Sequence, residues 1–121
     1  VKKEWILPGM HIAAIGADAP GKQELDAGVF AGAKVVNDSL QLCVARGETR
    51  NAVEAGFIRP QDIHAEIGEI ILGKKPGRES PDEVTIFDTV GMAIQDVVTA
   101  AMLYKGALEK GLGTRYEFFK T

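Results

Sequence analysis

The stretch His11-Ile12-Ala13-Ala14-Ile15-Gly16-Ala17 decides the fold. It is short, apolar and bounded by Pro8-Gly9 and Pro20-Gly21, the pattern of a strand buried on both faces. Residues 33–38, Ala-Lys-Val-Val-Asn-Asp, form a second such run, and Val84-Thr85-Ile86-Phe87 a third. Residues 24–31, between the first two, suit a short helix with Asp26 as its N-cap. Strands alternating with helical segments predict an α/β layer built on a parallel sheet.

Working outward, residues 40–46 read as a short helix that Gly47 would end. Residues 60–72 read as another, with Pro60 in the first turn, Gly73 as the stop, and Ile63, Ile67, Ile70 and Ile71 on one face. Residues 77–83 are polar and contain Pro81, which predicts a mobile loop. From Gly91 to about Lys110 runs the longest predicted element. Ile94, Val97, Val98, Ala101, Tyr104 and Leu108 form one stripe, and Ala93, Ala100, Leu103 and Ala107 add a second. A helix so apolar around its circumference calls for cover on more than one side, hence for a partner surface. Tyr116, Phe118 and Phe119 suit an edge strand or a docking tail.

The chain has 121 residues, of which 45% are apolar, enough for one core. With 14 Lys and Arg against 17 Asp and Glu, the net charge of −3 offers no basic stripe for nucleic acid. No apolar run is long enough to span a bilayer, and Val1-Lys2-Lys3-Glu4-Trp5 lacks a signal-peptide pattern, so a cytoplasmic protein is expected. The chain opens without Met and enters a strand almost at once, as though preceding sequence were missing. The single cysteine, Cys43, lies in the apolar run Leu42-Cys43-Val44 and reads as a small buried hydrophobe.

Chemistry is concentrated in Ile15-Gly16-Ala17-Asp18-Ala19-Pro20-Gly21-Lys22, where a carboxylate follows the carboxyl end of a strand, the place where open α/β sheets collect ligands. Pro20-Gly21 suits a type II turn that would bring Lys22 back beside Asp18. The pair reads either as a general acid/base with a tuned pKa or as a plain surface ion pair. A second candidate is Phe87-Asp88-Thr89-Val90-Gly91, where Thr89 reads as the N-cap of the long helix or as part of an anion or carboxamide site. His64, Glu66 and Glu69 lack metal-ligand spacing, so no metal site is expected, and His11 reads as a structural histidine. The chain contains no glycine-rich dinucleotide fingerprint, no P-loop and no nucleophile elbow.

These blocks carry a resemblance. Pro8-Gly9-x-His11-Ile12-x-Ala14-Ile15-Gly16-Ala17-Asp18-Ala19-Pro20-Gly21-Lys22, Val35-Val36-Asn37-Asp38, Asp62-Ile63-His64-x-Glu66-Ile67-Gly68-Glu69, Gly73-x-x-Pro76-Gly77-Arg78 and Ile86-Phe87-Asp88-x-x-Gly91-x-Ala93-x-Gln95-Asp96 resemble the ornithine cyclodeaminase/mu-crystallin family, its archaeal-type alanine dehydrogenase branch most of all. The match runs along nearly the whole chain but corresponds to the C-terminal third or so of a family member.

The resemblance implies the second half of a Rossmann-like parallel sheet followed by helices, including one long C-terminal helix. Residues 1–60 would be a partial NAD(P) domain, and residues 61–121 a helical return toward a substrate and dimerisation domain. It implies hydride transfer from the Cα of an amino acid to NAD or NADP, with the iminium then hydrolysed or closed into a ring. Asp18 would be the general acid/base. Lys22, Thr89 and the strand end Ala14, Ile15, Gly16 and Ala17 would touch the cofactor, and Val90 would face the substrate. The family's phosphate loop and the cations that hold the substrate carboxylate have no counterpart in these residues. Without that positioning, which can supply roughly 7–11 kcal/mol of the barrier, the chain is expected to be inactive by itself and not to hold the cofactor unaided. It would be a truncated homologue, working as a homo-oligomer, with a complementing chain, or as a non-enzymatic assembly module.

Overall fold

The computed structural model describes residues 1–118. Its centre is a four-stranded, wholly parallel sheet of β1 (His11–Ala14), β2 (Lys34–Asn37), β3 (Ala65–Glu66) and β4 (Thr85–Asp88). The strands lie in the order β1-β4-β2-β3. Ala14, Val36 and Asn37 sit in register with Asp88, Phe87 and Asp88 respectively, so the carboxyl ends of β1, β2 and β4 finish side by side. Every return between parallel strands must cross the sheet, and the connecting segments supply α1 (Leu40–Arg46), α2 (Glu48–Glu54) and α3 (Ile67–Ile71). The fold is Rossmann-like α/β, ending in the long α4 (Ala93–Lys110).

The core forms where the inward residues of the strands, Ala14, Val35 and Ile86, meet Leu25, Val29, Phe30 and Ala52. Phe30 and Ile86 are essentially excluded from water, each worth about 1.5–3 kcal/mol relative to exposure. On the opposite face Val36, Phe87, Ile67 and Ile70 line a hollow of about 300 Å³. β1 departs from the expected strand buried on both faces. Only Ala14 of its four residues is buried, because β1 pairs with β4 alone and lies at an edge of the sheet.

Residues 24–31 fold as a 3-10 turn, Ala27–Phe30, capped as expected by Asp26, whose carboxylate accepts from the Gly28 amide. α1 follows the expected bounds, with Ser39 as its N-cap and Gly47 as its stop. The single helix expected over residues 60–72 is instead three pieces: a 3-10 turn at Pro60–Asp62, β3, and α3. The His64 amide donates to the Val35 carbonyl, and this pairing with β2 outcompetes helical continuation. Glu66 and Glu69 serve as a capping box for α3, and no metal-binding group of three occurs among the described residues. Residues 77–83, read as a mobile loop, are tied to β2 by Lys34, which reaches Glu79 at 2.6 Å and Glu83 at 2.8 Å.

The chain divides into two compact units, Val1–Gly91 and Met92–Thr121. The stretch after residue 60 contributes β3 and β4 to the sheet of the first unit. Within the second unit α4 starts after Met92 and stops at Gly111. None of its residues is buried, and Ile94, Val97, Val98, Met102, Leu103, Tyr104 and Leu108 are all exposed. No helix among the described residues is long and apolar enough to cross a membrane. Tyr116 and Phe118 form no strand but meet edge to face at 5.2 Å, and Phe119 lies outside the described residues.

Candidate active site

Three carboxylates stand at the carboxyl ends of the adjacent strands β1, β4 and β2, and each is handled differently by its surroundings. Asp18 lies beyond β1 on a loop shaped by the predicted type II turn. The Lys22 amide donates to the Ala19 carbonyl at 3.2 Å, and Gly21 takes the positive φ of 86° that the turn demands of its third residue. The turn returns the Lys22 ammonium to 2.5 Å from Asp18 Oδ1, with both side chains about half exposed. Hydrogen bonding and charge from Lys22 hold the Asp18 carboxyl below the usual aspartate range.

Side-chain bonds from Glu24, the buried Glu48 and Asn51, rather than local propensity, hold this loop in place. Glu24 Oε2 accepts from the Gly16 amide at 3.1 Å, folding the end of β1 over. Glu48, fully buried at the first position of α2, accepts the amides of Glu24 and Leu25 on one oxygen. Asn51, one turn further on, donates to the Lys22 carbonyl at 3.0 Å. The far end of the Asp18 loop is therefore clipped to α2 at Lys22, Glu24 and Leu25, a role for Glu48 that its place in a polar stretch of sequence did not announce.

Asp88 closes β4 and is excluded from water. Its oxygens accept the amides of Glu48 at 3.3 Å and Thr49 at 2.8 Å, so it caps α2 from a different strand. Helix α2 has no capping side chain of its own, since Gly47 precedes it. A Cβ at Gly47 would lie 2.7 Å from Asp88 Oδ2, so the glycine gives the carboxylate room. Burial pushes the Asp88 carboxyl above its ordinary value, although the α2 amides pull the other way.

Asp38 follows β2 and is the hub of the cluster. Its Oδ1 accepts from the Ser39 amide at 2.7 Å and the Cys43 thiol at 3.2 Å. Oδ2 accepts from the Thr89 hydroxyl at 2.5 Å and the Gly91 amide at 3.0 Å. Burial alone would raise the Asp38 carboxyl, but the bonds from Thr89, Cys43 and Ser39 outweigh it and leave the group below its ordinary value. Cys43, buried as expected, is pushed far up by desolvation and the neighbouring aspartates, which makes it an inert thiol.

The strand ends thus bring Ala14, Thr89, Asp38 and Asp88 together: the Thr89 amide donates to the Ala14 carbonyl at 3.1 Å, and the Asp38 amide to that of Asp88 at 3.2 Å. Thr89 is not the N-cap of α4. Its hydroxyl is committed to Asp38, and the helix starts four residues later, at Ala93, behind Met92. Ile15 projects from the end of β1 with 64% of its surface exposed, Ala17 is buried, and Val90 is half-buried beside Thr89.

A Rossmann-like parallel sheet whose polar groups converge at the carboxyl ends of its strands defines an α/β protein of the class that collects ligands at that edge. Residues 1–111 match the model of the ornithine cyclodeaminase/mu-crystallin family, and the chain belongs to that family. It is 52% identical over 120 residues to the alanine dehydrogenase of Archaeoglobus fulgidus, covering 99% of this chain and 37% of that protein. The solved archaeal alanine dehydrogenase dimer with bound NAD superposes with a TM-score of 0.87 over 98% of this chain and 37% of its own, at 52% identity. Thermococcus litoralis Δ1-pyrroline-2-carboxylate reductase, solved with NADH and L-proline, gives a TM-score of 0.88 at 38% identity, covering 96% of this chain and 36% of its own. The chain therefore spans about a third of the length of the relatives it matches.

Proposed function

We propose that the chain carries the nicotinamide-side half of the catalytic crevice of an NAD(P)-dependent amino-acid dehydrogenase or cyclodeaminase. The observation that carries this reading is the exposed Asp18–Lys22 pair in the loop that follows β1, the strand whose end, Ala14, accepts the Thr89 amide, in a fold whose relatives were solved with NAD or NADH. The groups present suit the nicotinamide half of a dinucleotide. Ile15 offers an exposed apolar surface for a flat ring, and Thr89 a fixed polar atom for its substituent. Nothing in these residues suits the pyrophosphate, since no glycine-rich phosphate loop follows a strand.

A bound nicotinamide would take a hydride from the Cα of an amino acid, or return one to an imine. In that step Ala14, Ile15, Gly16, Ala17, Lys22 and Thr89 hold the cofactor, Val90 borders the substrate, and Asp18 moves the proton at the substrate nitrogen or at the attacking water. Lys22 keeps Asp18 ionised, which suits a base. To act as an acid Asp18 must part from Lys22, and Lys22 would leave it by turning its ammonium toward the bound cofactor.

With neither a phosphate loop nor cations for the substrate carboxylate, the 121 residues bind cofactor weakly and do not turn over by themselves. Titrating the chain with NADH and following nicotinamide fluorescence tests this. Weak binding that Asp18→Asn leaves intact fits the reading, whereas tight binding and turnover by the lone chain would overthrow it. The exposed apolar length of α4 favours a partner surface supplied by a complementing chain or a second copy. A compact monomer in sedimentation, with α4 protected from protease, would refute that part.

A further inference from the structure

We infer that Asp38 is a positioning residue that fixes the polarity of the Thr89 hydroxyl, making Thr89 an obligate hydrogen-bond acceptor that recognises an N–H donor, the carboxamide NH2 of a nicotinamide ring. The inference rests on the reading that Thr89 faces the cofactor, and adds which atom of the ligand it selects.

Four donors converge on Asp38, from Ser39, Cys43, Thr89 and Gly91, and an ionised carboxylate only accepts. The proton between Thr89 Oγ1 and Asp38 Oδ2, 2.5 Å apart, is therefore the hydroxyl's own. A threonine hydroxyl has one proton and two lone pairs. With the proton spent on Asp38, only lone pairs remain, and the Gly91 amide approaches one of them from 3.3 Å. Rotation of the hydroxyl to donate elsewhere would leave a buried carboxylate short of a charge-assisted bond, a cost few ligands repay. Thr89 keeps 9% of its surface exposed at the strand ends, and a ligand seated against it would meet the remaining lone pair. A carbonyl oxygen arriving there meets only lone pairs, whereas an amide NH2 finds its acceptor. Because the carboxamide is planar and conjugated with its ring, selecting NH2 over oxygen also selects which way the amide is turned.

NMR on the whole 121-residue chain tests both parts. The Thr89 hydroxyl proton should exchange with water about 10 to 100 times more slowly than in Asp38→Ala, the factor a hydrogen bond to a charged group supplies. Fast exchange in the unmutated chain would overturn the inference. The second arm titrates reduced nicotinamide mononucleotide against its 3-acetylpyridine counterpart, in which a methyl group replaces the NH2 and the carbonyl is kept. The nicotinamide form should bind about tenfold more tightly, the value of one neutral hydrogen bond. Thr89→Val should erase that preference and Thr89→Ser should restore it. Equal affinities, with resonances around Thr89 still shifting, would defeat the assigned polarity and leave the cofactor reading standing. No shift at Thr89 with either mononucleotide, with the hydroxyl still protected, would defeat the cofactor reading and the NH2 selection with it.

Discussion

Asp18 and Asp88 stand at the carboxyl ends of two hydrogen-bonded strands, β1 and β4, yet they have opposite environments. Asp18 is half exposed, paired with one lysine and pulled below the usual aspartate range. Asp88 is excluded from water, satisfied by the backbone of α2 and pushed above that range. One carboxylate stands open to solvent beside a lysine, while the other is consumed in building the frame. Asp38 belongs with Asp88 by burial but holds the Thr89 hydroxyl at the strand ends. The same residue type at the same kind of strand end therefore does different work, according to whether amides or water surround it.

The largest expected effect falls on the exposed member. In a chimera joining this chain to the part of Archaeoglobus fulgidus alanine dehydrogenase that it does not match, Asp18→Asn should lower the hydride-transfer rate by about 100- to 10,000-fold. Its urea midpoint should match that of the parent, because an exposed ion pair adds little to folding. A folding defect with unchanged turnover would reverse the roles assigned to the two aspartates.

Asp88→Ala should show the converse. Leaving the Glu48 and Thr49 amides buried and unpaired should cost about 3 kcal/mol in urea unfolding. Because α2 carries the clips on the Asp18 loop, loss of cap should also loosen that loop, visible as faster amide exchange at Gly16, Leu25 and Thr49. A stability change no larger than that of a surface substitution would remove Asp88 from the frame.

Gly47→Ala probes the same contact from the other side. The backbone there suits any residue, at φ −88°, so the effect is steric alone. Pushing Asp88 off α2 should cost about 1–3 kcal/mol, the usual range for overpacking, and combining it with Asp88→Ala should add less than the sum.

The smallest effect is the pH dependence. Asp38 lies below its ordinary value of 3.8 in the folded chain, so its contribution is present above that pH and is lost as pH falls through the depressed folded value. Asp88 lies above it, so its contribution is present below 3.8 and is lost as pH rises through the raised value. Asp38→Asn should flatten the acid side of the stability profile and Asp88→Asn the side above it. Identical profiles for the two variants would show that the strand ends do not differ electrostatically.

Much of this could be read locally. Three of the four strands, α1 with its Gly47 stop, the Asp26 cap, the length of α4 and the Pro20-Gly21 turn depend on residues within a few positions of one another. Apolar runs, caps and turn chemistry report such neighbours faithfully. The turn alone predicts the meeting of Lys22 with Asp18. The failures share a cause. β3 interrupts an apparent helix because β2 offers it backbone partners nearly thirty residues upstream. Thr89 misses its expected cap because Asp38, 51 residues away, accepts its hydroxyl's hydrogen bond.

The roles of Glu48 and Asp88 in the frame are not legible in the sequence, because burial is a property of the packed chain and the amides that Asp88 accepts lie about forty residues away. Strand polarity and the placing of a carboxylate after β1 follow from amino-acid chemistry at short range. Which acid is buried, which is exposed, and which way a hydroxyl points follow only once β1, β4 and β2 lie side by side. Desolvation and long-range hydrogen bonds, rather than propensity, then set each group's charge and partners.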